Sequence, residues 1–182
     1  MSKKAELTHD SILNAAQHVL QQHGVRGLTL DKVAKEAGVS KGGLIHHFPS
    51  KDDLLLAMLR CVSTLMTEQL DRLLLEEPDN GQKGRFLRAY MRCNLETIEQ
   101  GIPSFILNLL ELASVKPDIF QSQREFFAQM QAKVENDGID PVLATILAGA
   151  SDSLWLQVLF GILEPNHPQI RTVHNRLIQM TQ

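Results

Sequence analysis

The side chains of this chain able to do covalent or metal chemistry are seven histidines, two cysteines and twenty-one carboxylates. Their spacing supports neither use. His46 and His47 are adjacent, so on a helix they point about 100° apart and cannot chelate together. No Cys or carboxylate stands three or four residues from either in a zinc pattern, and His9, His18, His23, His167 and His174 are scattered. Cys61 and Cys93 lie in strongly helical stretches and read as reduced core thiols, which places the chain in the cytoplasm. The Glu76-Glu77 pair ends a helix and reads as solvated. There is no Gly-rich phosphate loop, nucleophile elbow or acidic cluster. The expectation is therefore no enzyme, no metal and no cofactor.

The chemistry that does emerge is anion recognition. Residues 1–52 carry seven basic against five acidic side chains, and the remainder carries 11 against 16. The overall balance of −3 thus hides a positive field on the N-terminal part, as phosphate binding requires.

The elements that must position these charges are helices. Leu, Ala, Gln and Met are plentiful, aromatics are few, and nowhere does a sustained two-residue alternation appear. A first helix is expected from Thr8, as N-cap, to His23, with Ile12, Ala15, Ala16, Val19 and Leu20 inward and Gly24 as its stop. A second begins near Thr29 to Asp31, buries Val33, Ala34 and Ala37, and ends at Gly38. Ser40 caps a third, short helix that runs to His47 or Phe48, Pro49 breaks it, and Ser50 caps the next. Longer amphipathic helices are expected near 52–76, 83–100, 103–115, 118–137, 140–163 and 167–181, with breaks at 78–84, 101–103, 116–117, 137–138 and 164–165. No apolar run reaches the ~18 residues of a membrane span, and the N-terminus is no signal peptide. The fold class is all-α with about nine helices: residues 1–51 are expected to form a three-helix N-terminal domain, and 52–182 a larger helical C-terminal domain.

Residues 28–55 carry the functional signal. Two short helices flank the turn Gly38-Val39-Ser40, the geometry of a helix-turn-helix. Ala34 keeps the helix crossing close, Gly38 is expected at positive φ, and Val39 plugs the gap. Ser40 caps the recognition helix and leaves N–H groups where a phosphate can dock. The stretch GVSKGGLIHHFPSKDDLL, with its small polar recognition helix, HHF end and following Lys51, resembles the signature of the TetR family over roughly residues 8–56. The resemblance implies a DNA-binding transcription regulator in which Thr29 and Lys51 contact phosphate. It also exposes a departure. Ile45 stands where the family usually has a phosphate-binding Tyr, so Ile45 is expected to meet sugar or a thymine methyl instead. Gly42 and Gly43 offer little side chain, which leaves Lys41, His46, backbone groups and DNA shape to carry the readout, with His47 packed at the helix base. The partner is an inverted-repeat operator in double-stranded DNA.

Short recognition helices give useful affinity only in pairs, so a homodimer is expected. Its interface is placed on helix 140–163 (Leu143, Leu147, Ala150, Leu154, Val158) and on the last helix (Val173, Leu177). The resemblance supports this placement, since the family dimerises through its last two long helices. Met58, Cys61, Leu65, Phe86, Tyr90, Cys93, Phe105, Leu109, Phe127 and Trp155 are candidates to line an effector cavity, though each also reads as ordinary core. A repressor released by a small hydrophobic ligand is the leading reading. An activator or ligand-independent regulator stays open, as does, remotely, a helical cavity enzyme or lipid-binding module.

Overall fold

The computed structural model describes residues 3–78, 83–102 and 105–182, so the break expected at Pro103 and most of that expected at 78–84 lie outside the described residues. Among the described residues there are nine helices and no strand, as the all-α reading requires. They are α1 (Lys3–Gly27), α2 (Leu30–Glu36), α3 (Lys41–His47), α4 (Lys51–Glu76), α5 (Arg85–Gln100), α6 (Phe105–Val115), α7 (Gln121–Glu135), α8 (Pro141–Leu159) and α9 (Pro168–Gln179).

The chain forms two compact units. The first takes residues up to Val62 together with α6 and the segment to Gln123; the second takes Ser63–Ile102 and Arg124–Gln182. This differs from the boundary expected at 51/52, because α4 is continuous through Val62 and α6 packs on α1.

In the first unit, Ile12, Ala16 and Leu20 of α1, Val33 of α2, Leu44 of α3, and Leu54 and Leu55 of α4 are each fully buried in one apolar cluster. Burying each large apolar side chain contributes about 1.5–3 kcal/mol, which holds the short α2 and α3 in place where neither would be helical alone. Phe105, Leu109 and Leu112 of α6 join the same cluster. The helical path of α1 is interrupted at Gly24 (φ 64°, ψ 179°), the stop expected there. Thr8 is not its N-cap, since the helix already runs from Lys3. Without an alignment of caps and core, one hydroxyl before an apolar stripe looks like another.

In the second unit α5 packs against α8 and α9. Its first turn lacks a side-chain cap of its own, because Gly84 precedes it. Asp137 supplies one, accepting from the backbone N–H groups of Phe86 (3.1 Å) and Leu87 (2.7 Å). The core here is not purely apolar. Arg88 donates to Glu77 at 3.0 Å with both side chains 8% exposed, and Arg92 donates to the same carboxylate at 3.0 Å. The expectation that Glu76-Glu77 is merely solvated is thus corrected: Glu77 is buried, and Glu76 is held by Arg72 and Arg92. Hydrogen bonds from Arg92 and then Arg72 lower the Glu76 pKa.

Helix α8 is shorter than the 140–163 expected. Among the described residues it is the one helix long and apolar enough by composition to span a membrane. A helix with one face in a core passes the same test, and α8 buries Ala144, Leu147, Ala148, Ser151 and Leu154. It ends at Leu159, where Phe160 caps it and Gly161 turns at φ 67°, so Ile162 lies beyond it.

Candidate nucleic-acid interface

Helices α2 and α3 are set by their ends. Thr29 is the N-cap of α2, its hydroxyl accepting from Lys32 N–H at 3.3 Å, and Ser40 caps α3, accepting from Gly43 N–H at 3.1 Å. The turn between them passes through Gly38 at φ 66°, where a side chain would be strained although nothing lies within 4 Å of its Cβ position. Val39 N–H donates to Ala34 O at 3.0 Å, and the Val39 side chain packs on the first-unit core as a plug. Ala34 is buried at the α1–α2–α3 junction. Ser50 opens α4, its hydroxyl accepting from Asp53 N–H at 3.1 Å and donating to the Asp53 carboxylate at 2.6 Å.

The outward face then follows. Lys41, Gly42, Ile45 and His46 are exposed around the buried Leu44, and Gly43 and His47 are half-buried. The His47 ring lies 6.2 Å from that of His9 and 6.4 Å from that of Phe48, so it packs at the base of α3. Thr29 is exposed, but its hydroxyl oxygen already accepts the capping bond.

Two lysines make contacts within the protein that the sequence does not suggest. The Lys51 ammonium donates to the Val25 carbonyl at 2.6 Å, tying the start of α4 to the end of α1. Burial, then the neighbouring Lys116, lower its pKa. The Lys41 ammonium lies 2.9 and 3.0 Å from the two carboxylate oxygens of Asp31. Sequence reasoning missed Asp31: the pair joins residues ten apart on two helices, which no single-helix spacing rule connects.

The ten candidate ligand residues divide between the units. Met58, Phe105 and Leu109 are buried in the first-unit core, and Cys61 is half-buried in the same unit. Tyr90 and Cys93 are buried in the second-unit core, where Phe86 is partly buried and Trp155 packs against Ile98, Leu154 and Ile170. Burial pushes the Cys93 thiol up to about 11. Leu65 and Phe127 are exposed at 59% and 49%. None of the ten lines the groove of about 270 Å³ formed by Glu99, Pro165 to Pro168, Ile170 and Arg171. A polar cluster does surround one of them. Tyr90 O–H and Asn94 N–H both donate to Asp152 Oδ1 at 2.8 Å, and Asn94 also donates to Ser151 Oγ at 3.1 Å. Burial raises the Asp152 pKa, and no cation among the described residues compensates it. Likewise no group of three metal-ligating side chains gathers among the described residues.

The residues named for dimerisation mostly face inward. Leu147, Leu154 and Leu177 are buried, and Leu143, Ala150, Val158 and Val173 pack partly buried against the second-unit clusters. The exposed face of α8 is instead Val142, Ile146, Gly149, Ser153 and Leu156, continued by Phe160. A helix apolar all round has no period to reveal which stripe is inside.

Known proteins agree with this geometry. Residues 12–58 match the family described as bacterial regulatory proteins, tetR family, and residues 84–182, more than half of the chain, match the tetracyclin repressor-like C-terminal domain. The chain is similar to the HTH-type transcriptional regulator RutR of Escherichia coli K12, 41% identical over 59 residues, which cover 32% of this chain and 28% of RutR. It is also similar to the HTH-type regulator CymR of Pseudomonas putida, 37% identical over 68 residues, 37% of this chain and 34% of CymR. The chain thus matches about a third or less of the length of these curated relatives. The fold is shared over nearly the whole chain with solved structures. The multidrug binding protein EbrR, complexed with malachite green, has a TM-score of 0.66 and 26% identity over 93% of this chain and 96% of that one. A transcriptional regulator from Rhodococcus sp. Rha1 has a TM-score of 0.71 and 21% identity over 95% of each chain. With both its helix-turn-helix and its helical C-terminal part matched, the chain belongs to the tetR family of bacterial regulatory proteins.

Proposed function

We propose that this chain is a DNA-binding transcription regulator, acting as a homodimeric repressor that a small hydrophobic ligand releases from an inverted-repeat operator. One observation carries the reading: α2 and α3 are locked by Thr29, Gly38 and Ser40 around the buried Leu44, leaving Lys41, Gly42, Ile45 and His46 outward on one short helix. Such a helix enters the major groove with its first residues on base edges. Lys41 and His46 are the readout residues, with Ile45 against sugar or a thymine methyl, and Thr29, Ser40, Gly42, Gly43, His47 and Lys51 form the rim that meets the backbone. Lys51 does so while held on Val25 O, its charge uncancelled by that carbonyl.

The dimer forms through the exposed face of α8. Val142, Ile146, Leu156 and Phe160 are each 41–68% exposed, and Gly149 and Ser153 between them allow close approach of a second helix. The effector binds in the second unit. EbrR is a multidrug binding protein whose structure holds malachite green, an aromatic cation. A ligand of that class suits the uncompensated Asp152, presented by Tyr90 and Asn94.

The test is selection from random duplex DNA with the purified full-length chain, followed by sedimentation. The reading expects an enriched inverted repeat with half-sites about 10 bp apart, bound by a dimer that Ile146→Arg disrupts without unfolding. Failure to enrich any inverted repeat at low salt would overturn it. A monomeric wild type at micromolar concentration would remove the α8 interface. Malachite green that neither binds nor releases DNA would remove the cationic effector class.

A further inference from the structure

Three lysines of the helix-turn-helix region are already engaged by the protein, but not in the same way. Lys32 donates to Gly27 O at 3.1 Å and Lys51 to Val25 O at 2.6 Å. A carbonyl cancels no charge, so both ammonium groups still present a positive field to phosphate. Lys41 is different. It is the only Lys or Arg on α3, and both oxygens of Asp31, on the first turn of α2, lie within 3.0 Å of it. From a few ångströms away that pair is neutral. Both side chains are more than half exposed, so neither burial nor core packing requires the pair, and exposed pairs of this kind contribute little to folding.

We propose that Asp31 is a specificity-determining residue of the DNA-binding face, one that withholds the Lys41 charge from the phosphate backbone. The proposal rests on the DNA-binding reading above and adds a component to it. Affinity for DNA of any sequence comes almost wholly from cations that neutralise phosphates. Cancelling the single fixed cation of the recognition helix lowers that sequence-independent share. Readout survives the pairing, because an ammonium has three N–H donors and Asp31 takes at most two. The third remains for a base-edge acceptor such as guanine O6 or N7, a contact that depends on sequence. Asp31 therefore lowers binding everywhere and leaves the operator contact in place.

The experiment measures full-length protein binding to a duplex of random sequence, and to an inverted repeat enriched from random DNA, between 50 and 200 mM salt. Asp31→Asn should tighten binding to the random duplex and steepen the salt slope by about 0.9 per half-site, or roughly 1.8 for a dimer. Its advantage over wild type should then be about tenfold larger at 50 mM than at 200 mM. The ratio of operator to random-duplex affinity should fall. Asp31→Glu, which keeps the anion, should stay near wild type. Asp31→Asn combined with Lys41→Ala should return the slope to the wild-type value, since a neutral pair has been replaced by two neutral side chains. Circular dichroism melts confirm that the variants fold.

Two results would overturn the proposal. In one, Asp31→Asn leaves slope and random-duplex affinity unchanged while Lys41→Ala alone flattens the slope, so that Lys41 leaves Asp31 for phosphate in the complex. In the other, the gain of Asp31→Asn persists in the double variant, so that it does not come from Lys41. A wild type without salt-dependent affinity for any duplex is a distinct outcome: it removes the DNA-binding reading itself, and this inference with it.

Discussion

The two units bury polar groups to different extents. The first packs α1, α2, α3, α6 and the start of α4 around an apolar cluster, leaves Lys32, Lys35, Lys41, Lys51 and Lys116 at least partly exposed, and buries Gln123 with a hydrogen bond to Leu59 O at 2.9 Å. The second buries Glu77, Arg88, Asn94, Ser151 and His174 within or beside its core. The difference follows from where each unit acts. Under the proposed function the first unit reads DNA and needs its polar groups outside on a rigid frame, and a mostly apolar interior supplies that rigidity at little desolvation cost. Polar groups inside the second unit cost desolvation unless each has a partner, and they make the interior selective about what it accepts. Buried Tyr90 and Asn94 hold the half-buried Asp152 at the place where the proposed effector would use that selectivity.

The comparison breaks most readily at the buried ion pair. Glu77→Ala leaves Arg88 in the core without its carboxylate, and removing one partner of a buried pair costs about 3–5 kcal/mol. Trp155, the single Trp, lies in the second unit and reports the transition by fluorescence in urea. A loss below about 1 kcal/mol would show the pair to be solvated after all and the contrast between the units to be weak. The apolar side of the same unit is tested by Leu147→Ala, expected to cost about 2–5 kcal/mol with little effect on self-association, because Leu147 is 1% exposed. If Leu147→Ala instead produced stable monomers, the inward face of α8 would have been misassigned.

Asp152→Asn sharpens the contrast through pH. Burial raises the folded-state pKa of Asp152 above its unfolded value, so the stability this group contributes by binding a proton is fully present below about pH 4 and lost as pH rises through the folded pKa. Asn keeps an oxygen to accept from Tyr90 and Asn94 and does not titrate. The stabilities of wild type and Asp152→Asn should therefore converge in acid and diverge toward neutrality, with the variant the more stable. Urea midpoints measured from pH 4 to pH 7.5 decide this. Parallel curves would mean that Asp152 is hydrated in the folded state.

How far the sequence was legible follows the same division. In the first unit apolar spacing, Gly24, Gly38, Ser40 and Ser50 place four helices and two caps correctly, because each of those signals is local. Thr8 failed as a cap, since nothing local says that a helix has already begun at Lys3. The links that the sequence hides are those between distant positions. Asp31 and Lys41 are ten residues apart, Glu77 and Arg88 eleven, Asn94 and Asp152 fifty-eight. Helix α6 sits sequentially among the helices expected to form the C-terminal domain yet packs on α1, and its composition carries no sign of which helix it meets. On α8 both faces are apolar, so the stripe Leu143, Leu147, Ala150, Leu154 looked as suited to a partner as Val142, Ile146, Gly149, Ser153, and only packing separates them.

The smallest effect on stability isolates what the proposed DNA-binding face does for its ligand rather than for the fold. Gly42 and Gly43 are neighbours on α3, and their surroundings differ. A Cβ at Gly43 would meet Ser40 Oγ at 3.2 Å, crowding the cap of the recognition helix. A Cβ at Gly42 meets nothing within 4 Å. The fold therefore gives no reason for Gly at position 42. Gly42→Ala should raise stability by about 0.5–1 kcal/mol, through lower unfolded-chain entropy and better helix propensity. Gly43→Ala should gain less, or lose, because the added methyl pushes on the capping hydroxyl. If the open space beside Gly42 is where a DNA backbone or base edge comes close, Gly42→Ala will weaken DNA binding while raising the melting temperature. Thermal melts and operator titration on the same preparations separate the two quantities. A Gly42→Ala variant that is both more stable and an equally tight DNA binder would show that α3 meets the groove through another of its faces, and would move the readout away from Lys41 toward His46.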